Sequence, residues 1–108
     1  MMILVLKYLI PKGYIGLTVF PFIFIKNGGL KTNTSLINHE KIHLQQQLEL
    51  LIIPFFILYG LDFIIGLIYY RNWHLAYKNI IFEREAYAKE KDLDYLKSRP
   101  FWAFSKYV

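Results

Sequence analysis

Apolar and polar positions divide the 108-residue chain into an extended N-terminal part and a helical remainder. Residues 2–10 form an apolar run broken only by Lys7, and Pro11-Lys12-Gly13 is a turn signal. The run is interrupted early and no small-residue cleavage site comes after it, so it reads as structure rather than as a signal peptide. Residues 14–26 are rich in β-branched and aromatic side chains and predict a strand. Pro21 cannot donate to a ladder, which makes that strand an edge or breaks it. Asn27-Gly28-Gly29 predicts a tight turn, and residues 30–35 a polar loop with Thr34 or Ser35 as the N-cap of a helix.

From Leu36 the period changes. Leu44, Leu48, Leu51 and Ile52 recur at helical spacing, with Gln45, Gln46, Gln47 and Glu49 as the polar face. Residues 50–70 then read LLIIPFFILYGLDFIIGLIYY, with Asp62 the lone charge. That run is long enough for a transmembrane helix. Arg71, Trp73, His74, Tyr77 and Lys78 come next, a mixture suited to a membrane–water interface. A last helix is expected over 80–97, with Asn79 as its N-cap, Glu83 and Glu85 toward its positive end, and Arg99-Pro100 as its stop. The tail, residues 101–108, is aromatic and basic and suits a membrane surface. The pattern implies a single α+β domain over residues 1–108: a short N-terminal β-hairpin or edge strands, then about three helices.

One stretch carries chemistry. His39-Glu40-Lys41-Ile42-His43 falls at the start of the first helix, where residues four apart share a face. His39 and His43 can therefore aim both imidazoles at one metal ion, and Glu40 can act as base on a water beside it. The plain alternative is a helix with two surface histidines. The chain has no cysteine, so any metal must be held by His, Asp or Glu. Candidates for a third ligand are Glu83 and Glu85, whose ordinary reading is a solvated face pairing with Lys89.

Composition changes the setting. Hydrophobic residues are 56% and aromatic residues 19% of the chain, above the usual share for a soluble domain. The net charge is +5, but the positive residues are scattered among Tyr, Phe and Trp. That distribution suits a cytoplasmic membrane face rather than nucleic acid, which is not expected as a partner.

The segment HEKIHLQQQLE, with a later helix bearing Glu85-Ala86, resembles the gluzincin metallopeptidases. It is also similar to membrane-bound peptidases of the beta-lactam-sensing receptor kind. A group of short bacterial membrane proteins with the pattern HEkIHlxQQLE…FErEAYA resembles it over roughly residues 17–108. The resemblance implies a zincin-like minimal domain. It also implies zinc held by His39, His43 and Glu85, with Glu83 as the runner-up, and Glu40 as the base for hydrolysis of a peptide or protein substrate.

Reach constrains the fold. One straight helix to Tyr70 would end about 40 Å from His43, and fifteen residues of returning helix recover only about 22 Å. A hairpin within residues 50–70, broken at Pro54 or Gly60, would bring Glu85 back. Lys and Arg flank both sides of this segment, as expected when both chain ends face the cytoplasm at a bacterial inner membrane. Asp62 would then sit at the hairpin tip. Tyr87, Tyr77 and His74 are possible oxyanion donors. Asn38 and Asp92 are possible partners for the histidines, and Phe20–Ile25 a possible strand for pairing with substrate. The competing reading is a small membrane protein with a structural or regulatory role, its metal absent or structural.

Overall fold

The fold, taken from a computed structural model, is described over residues 2–6, 10 and 14–108. Lys7 and the turn expected at Pro11-Lys12-Gly13 lie outside the described residues. The architecture is α+β. The β part comprises β1 (Met2–Val5), β2 (Gly16–Val19) and β3 (Phe22–Ile25), in the order β1-β3-β2. Residues 14–26 are thus not one strand. Phe20-Pro21, a cis peptide, lies at the turn of an antiparallel β2–β3 hairpin with Leu17 opposite Phe24. β1 joins β3 in parallel on its other side. Because β3 is central, Phe20–Ile25 has no free edge for a substrate; β2 is the edge strand on the helical side.

Helix α1 (Thr34–Leu50) is capped by Asn33, one residue before the expected Thr34 or Ser35: Asn33 Oδ1 accepts from the Leu36 amide at 3.1 Å. Its apolar face packs Leu36, Ile37 and Leu44 on Ile23 and Ile25 of the sheet. Gln47 fastens the two layers further. Its amide donates to Thr18 O and accepts from Phe20 N, as a neighbouring strand would.

The expected break at Pro54 or Gly60 does not occur. Helix α2 (Ile52–Tyr70) runs unbroken through both residues, and the chain bends at Leu51 instead, whose φ is 59°. Pro54 lies in the first turn of α2, where a missing N–H breaks no helical hydrogen bond. The return comes at Arg71, also at positive φ, which leads into α3 (Trp73–Lys78). α3 folds back on α2 so closely that a Cβ on Gly66 would lie 3.1 Å from Ala76 Cα. The expected last helix divides into α4 (Ile81–Lys89) and α5 (Tyr95–Ser98). Its N-terminal group is not Asn79. Asp62 of α2 accepts from the Ile81 amide at 2.8 Å, so the lone acid of the apolar run caps α4 rather than marking a hairpin tip.

Phe55 of α2, Ile80, Phe82 and Phe104 form one core cluster, and Ile42, Ala86 and Tyr95 another. The first holds α4 against α2 and the C-terminal tail, the second against α1. On α2, Phe55, Tyr59, Phe63 and Gly66 recur at helical spacing and face the protein. Ile53, Ile57, Leu61, Ile64, Ile65 and Ile68 form the opposite, exposed face. Among the described residues, α2 alone is long and apolar enough to cross a membrane.

Candidate metal centre

α1 and α4 meet at three side chains. Nε2 of His39 lies 2.9 Å from Glu83 Oε1, Nε2 of His43 lies 3.0 Å from the same oxygen, and the two nitrogens are 3.2 Å apart. All three residues are buried. The histidines converge because they are four apart on α1. Glu83 joins them because it is in the first turn of α4, which the Phe55–Phe82–Ile80 cluster and Asp62 fix in place.

Glu85, expected as the third ligand, lies outside this triangle. Two residues along a helix is about 200° of rotation, so Glu83 and Glu85 cannot face the same way. The four acceptor positions of Glu85 are filled instead by Gln46 Nε2, Tyr95 OH and two nitrogens of Arg99. The structure therefore brings Glu83, the runner-up, to the histidines.

The groups behind the histidines decide their tautomers. His39 Nδ1 is 3.0 Å from a Glu90 carboxylate oxygen, which can only accept, so Nδ1 carries hydrogen. His43 Nδ1 is 2.8 Å from Gln46 Oε1. The Gln46 amide cannot be reversed, because its nitrogen already donates to Phe82 O and Glu85 Oε1. When neutral, both imidazoles thus present bare Nε2 lone pairs to an anionic carboxylate oxygen. Such an arrangement calls for a cation. Four-coordinate zinc with bonds of about 2.0–2.1 Å places neighbouring ligand atoms about 3.3 Å apart, within a few tenths of the edges seen here. The donor set and its spacing fit a divalent ion.

Without a metal, a proton fills that need. Burial alone would keep His43 neutral, but Glu83 beside it overrides this and the imidazole is pushed up to about 9. Burial would likewise raise the Glu83 carboxyl, yet the two imidazoles hold it well below the usual carboxylate range. Tyr59 donates to the other oxygen of Glu83, leaving one oxygen for the histidines.

Glu40 is buried beside the cluster but not part of it. Thr18 Oγ1 of β2 donates to Glu40 Oε2 at 2.7 Å. Two cavities meet at this carboxylate. One, of about 310 Å³, reaches His43 and Glu83 and is walled by Phe55, Phe56 and Phe63. The other, of about 620 Å³, reaches His39 and Glu90. Tyr77 borders both and Tyr87 the second; their hydroxyls lie 3.1 Å apart. Tyr87 also packs edge-on against the His39 ring. His74 lines the second cavity.

Asn38 and Asp92, expected near the histidines, act at one remove. Asn38 Nδ2 donates to the carbonyls of Lys89, Glu90 and Asp92, which holds the end of α4 and with it Glu90. The direct partners, Gln46 and Glu90, were missed in the sequence. Gln46 and Gln47 come three and four residues after His43, so they share its buried face, and that spacing was the available signal. No protein-family model, curated protein or solved structure matches this chain.

Proposed function

We propose that the protein is a membrane-associated zinc metallopeptidase, with His39, His43 and Glu83 as metal ligands and Glu40 as general base. One observation carries the reading: two imidazole nitrogens and one carboxylate oxygen converge while a separate carboxylate, Glu40, stands free of them at the cavities. Closed structural zinc sites use four protein ligands, whereas three ligands beside open space suit catalysis. This favours an enzyme over a structural metal.

A zinc ion bound there supplies a water of lowered pKa and polarises a carbonyl oxygen. Glu40 accepts the water's proton on a carboxylate oxygen and returns it to the leaving amine nitrogen. Thr18 holds Glu40 in place during both transfers. Of Tyr77, Tyr87 and His74, Tyr77 alone borders both cavities, and its hydroxyl is assigned as donor to a developing oxyanion. The edge strand β2, partly engaged by Gln47, offers its remaining backbone groups to an extended peptide. The exposed apolar face of α2 supports contact with lipid, with the site facing the cytoplasm of a bacterial cell.

The test is metal content and peptide cleavage of the purified full-length chain. Wild type should hold one zinc, and His39→Ala, His43→Ala and Glu83→Ala should lose it. Retention of zinc by Glu83→Ala would remove the proposed ligand set. A zinc-loaded chain that cleaves no peptide in detergent or vesicles would leave the metal structural.

A further inference from the structure

We propose that Glu85 is a positioning residue for the metal centre, acting through Gln46 on His43. This rests on the metal-site reading above. The connection is continuous: His43 Nδ1 donates to Gln46 Oε1 at 2.8 Å, and Gln46 Nε2 donates to Glu85 Oε1 at 2.9 Å. Gln46 and Glu85 are both fully buried, so bulk solvent reaches neither contact. The primary amide is ambiguous by itself, since its oxygen and nitrogen can exchange places with little change in shape. Glu85 removes the ambiguity. Reversing Gln46 would set its oxygen against a carboxylate and against Phe82 O, and its nitrogen would require a bare Nδ1 and so move the hydrogen to Nε2.

Glu85 is in turn held rigid. Arg99 donates to both of its oxygens and also to Glu49 Oε2 at 2.7 Å, and Tyr95 donates to Glu85 Oε2 at 2.7 Å. The guanidinium and both carboxylates are almost wholly buried. Residues 95–99 thereby clamp a carboxylate on α4, which orients an amide on α1, which sets the protonated nitrogen of a ligand one turn earlier. Partners of this kind change metal affinity by about 10–100-fold when removed.

The experiment is a double-mutant cycle on the full-length chain, using cobalt(II) alone as the probe. Affinity is measured by chelator competition, coordination by the visible absorption of the bound ion, and folding by circular dichroism. Glu85→Leu should weaken cobalt binding at least about tenfold and alter the absorption. Glu85→Gln, which keeps an acceptor for Gln46, should restore most of the affinity. In a Gln46→Met background, Glu85→Leu should cost no further affinity, because the link is already cut. Additive losses would overturn the proposal, as would equal losses in Glu85→Gln and Glu85→Leu. If Glu85→Leu does not fold, Gln46→Met decides alone: wild-type affinity and absorption in that variant overturn the proposal. A wild-type chain that binds no cobalt defeats the metal-centre reading and this role with it. A wild type that binds, with uncoupled variants, defeats only the positioning role.

Discussion

Gly16 and Glu40 are fitted to one another: a Cβ on Gly16 would stand 2.8 Å from Glu40 Oε1 and 3.3 Å from Leu36 Cδ1. The edge strand approaches the motif helix this closely only because that position lacks a side chain. Glu40 is also held by Thr18 on the same strand, so its carboxylate cannot move away without breaking that bond. Gly16→Ala should therefore displace the base and leave the metal ligands in place. The expected result is unchanged zinc content with hydrolysis reduced about tenfold or more. Loss of zinc in Gly16→Ala would show that the strand supports the ligands as well.

Glu40→Gln should keep zinc and lose hydrolysis by about 10²–10⁴-fold, since the amide keeps the shape and the Thr18 contact but has no basic oxygen. Zinc analysis and a peptide-cleavage assay on one preparation read both properties. Undiminished cleavage would exclude Glu40 as the base.

Acid and base should act differently on the metal-free and zinc-loaded forms. In the metal-free protein, His43 is raised from 6.5 to about 9, with Glu83 outweighing burial. A folded-state value above the unfolded one adds stability that is complete below about pH 6.5 and is lost as pH rises through about 9. Glu83 and Glu85 are lowered in the fold, by the imidazoles and by Arg99 respectively, against the effect of burial. Their contribution is present above the ordinary value of 4.5 and is lost as pH falls below it. Denaturation of metal-free protein should thus show an alkaline decline that zinc removes, because zinc needs His43 neutral. Zinc binding near pH 7.5 should release about one proton, measurable by calorimetry in buffers of different ionisation enthalpy. Absence of proton release would argue against His43 as a ligand.

The outer face of α2 should carry membrane contact. Ile53, Ile65 and Ile68 are 73%, 64% and 73% exposed, and no charged residue interrupts them. Ile57→Lys with Ile65→Lys should abolish co-sedimentation with vesicles and leave zinc content unchanged. Equal sedimentation of this variant and wild type would exclude α2 as the contact. Single cysteines at Lys31 and Lys97, probed in intact cells with an impermeant thiol reagent, should label alike if both ends share one side.

Local pattern was enough for part of this protein. The i, i+4 spacing of His39 and His43 places them on one face wherever the helix goes, and the Glu40 position comes from the same geometry. The α+β order and the interruption at Pro21 were also local, because a proline without an N–H cannot donate to a ladder wherever it lies. Residues 83 and 85, in contrast, lie on nearly opposite sides of α4, and either could have met the two histidines of α1. Which one does depends on how α4 is rotated when Phe82 enters the Phe55–Ile80 core and Asp62 caps its first turn. The position of the bend was equally non-local. Pro54 and Gly60 are helix breakers by propensity, but a proline in the first turn breaks nothing, and the chain bends at Leu51 instead, which leads into an α2 whose Asp62 caps α4. Propensity and spacing act within a few residues. The carboxylate that meets the histidines, and Glu90 behind His39, are set by packing between elements some forty to fifty residues apart, and only the folded chain brings those together.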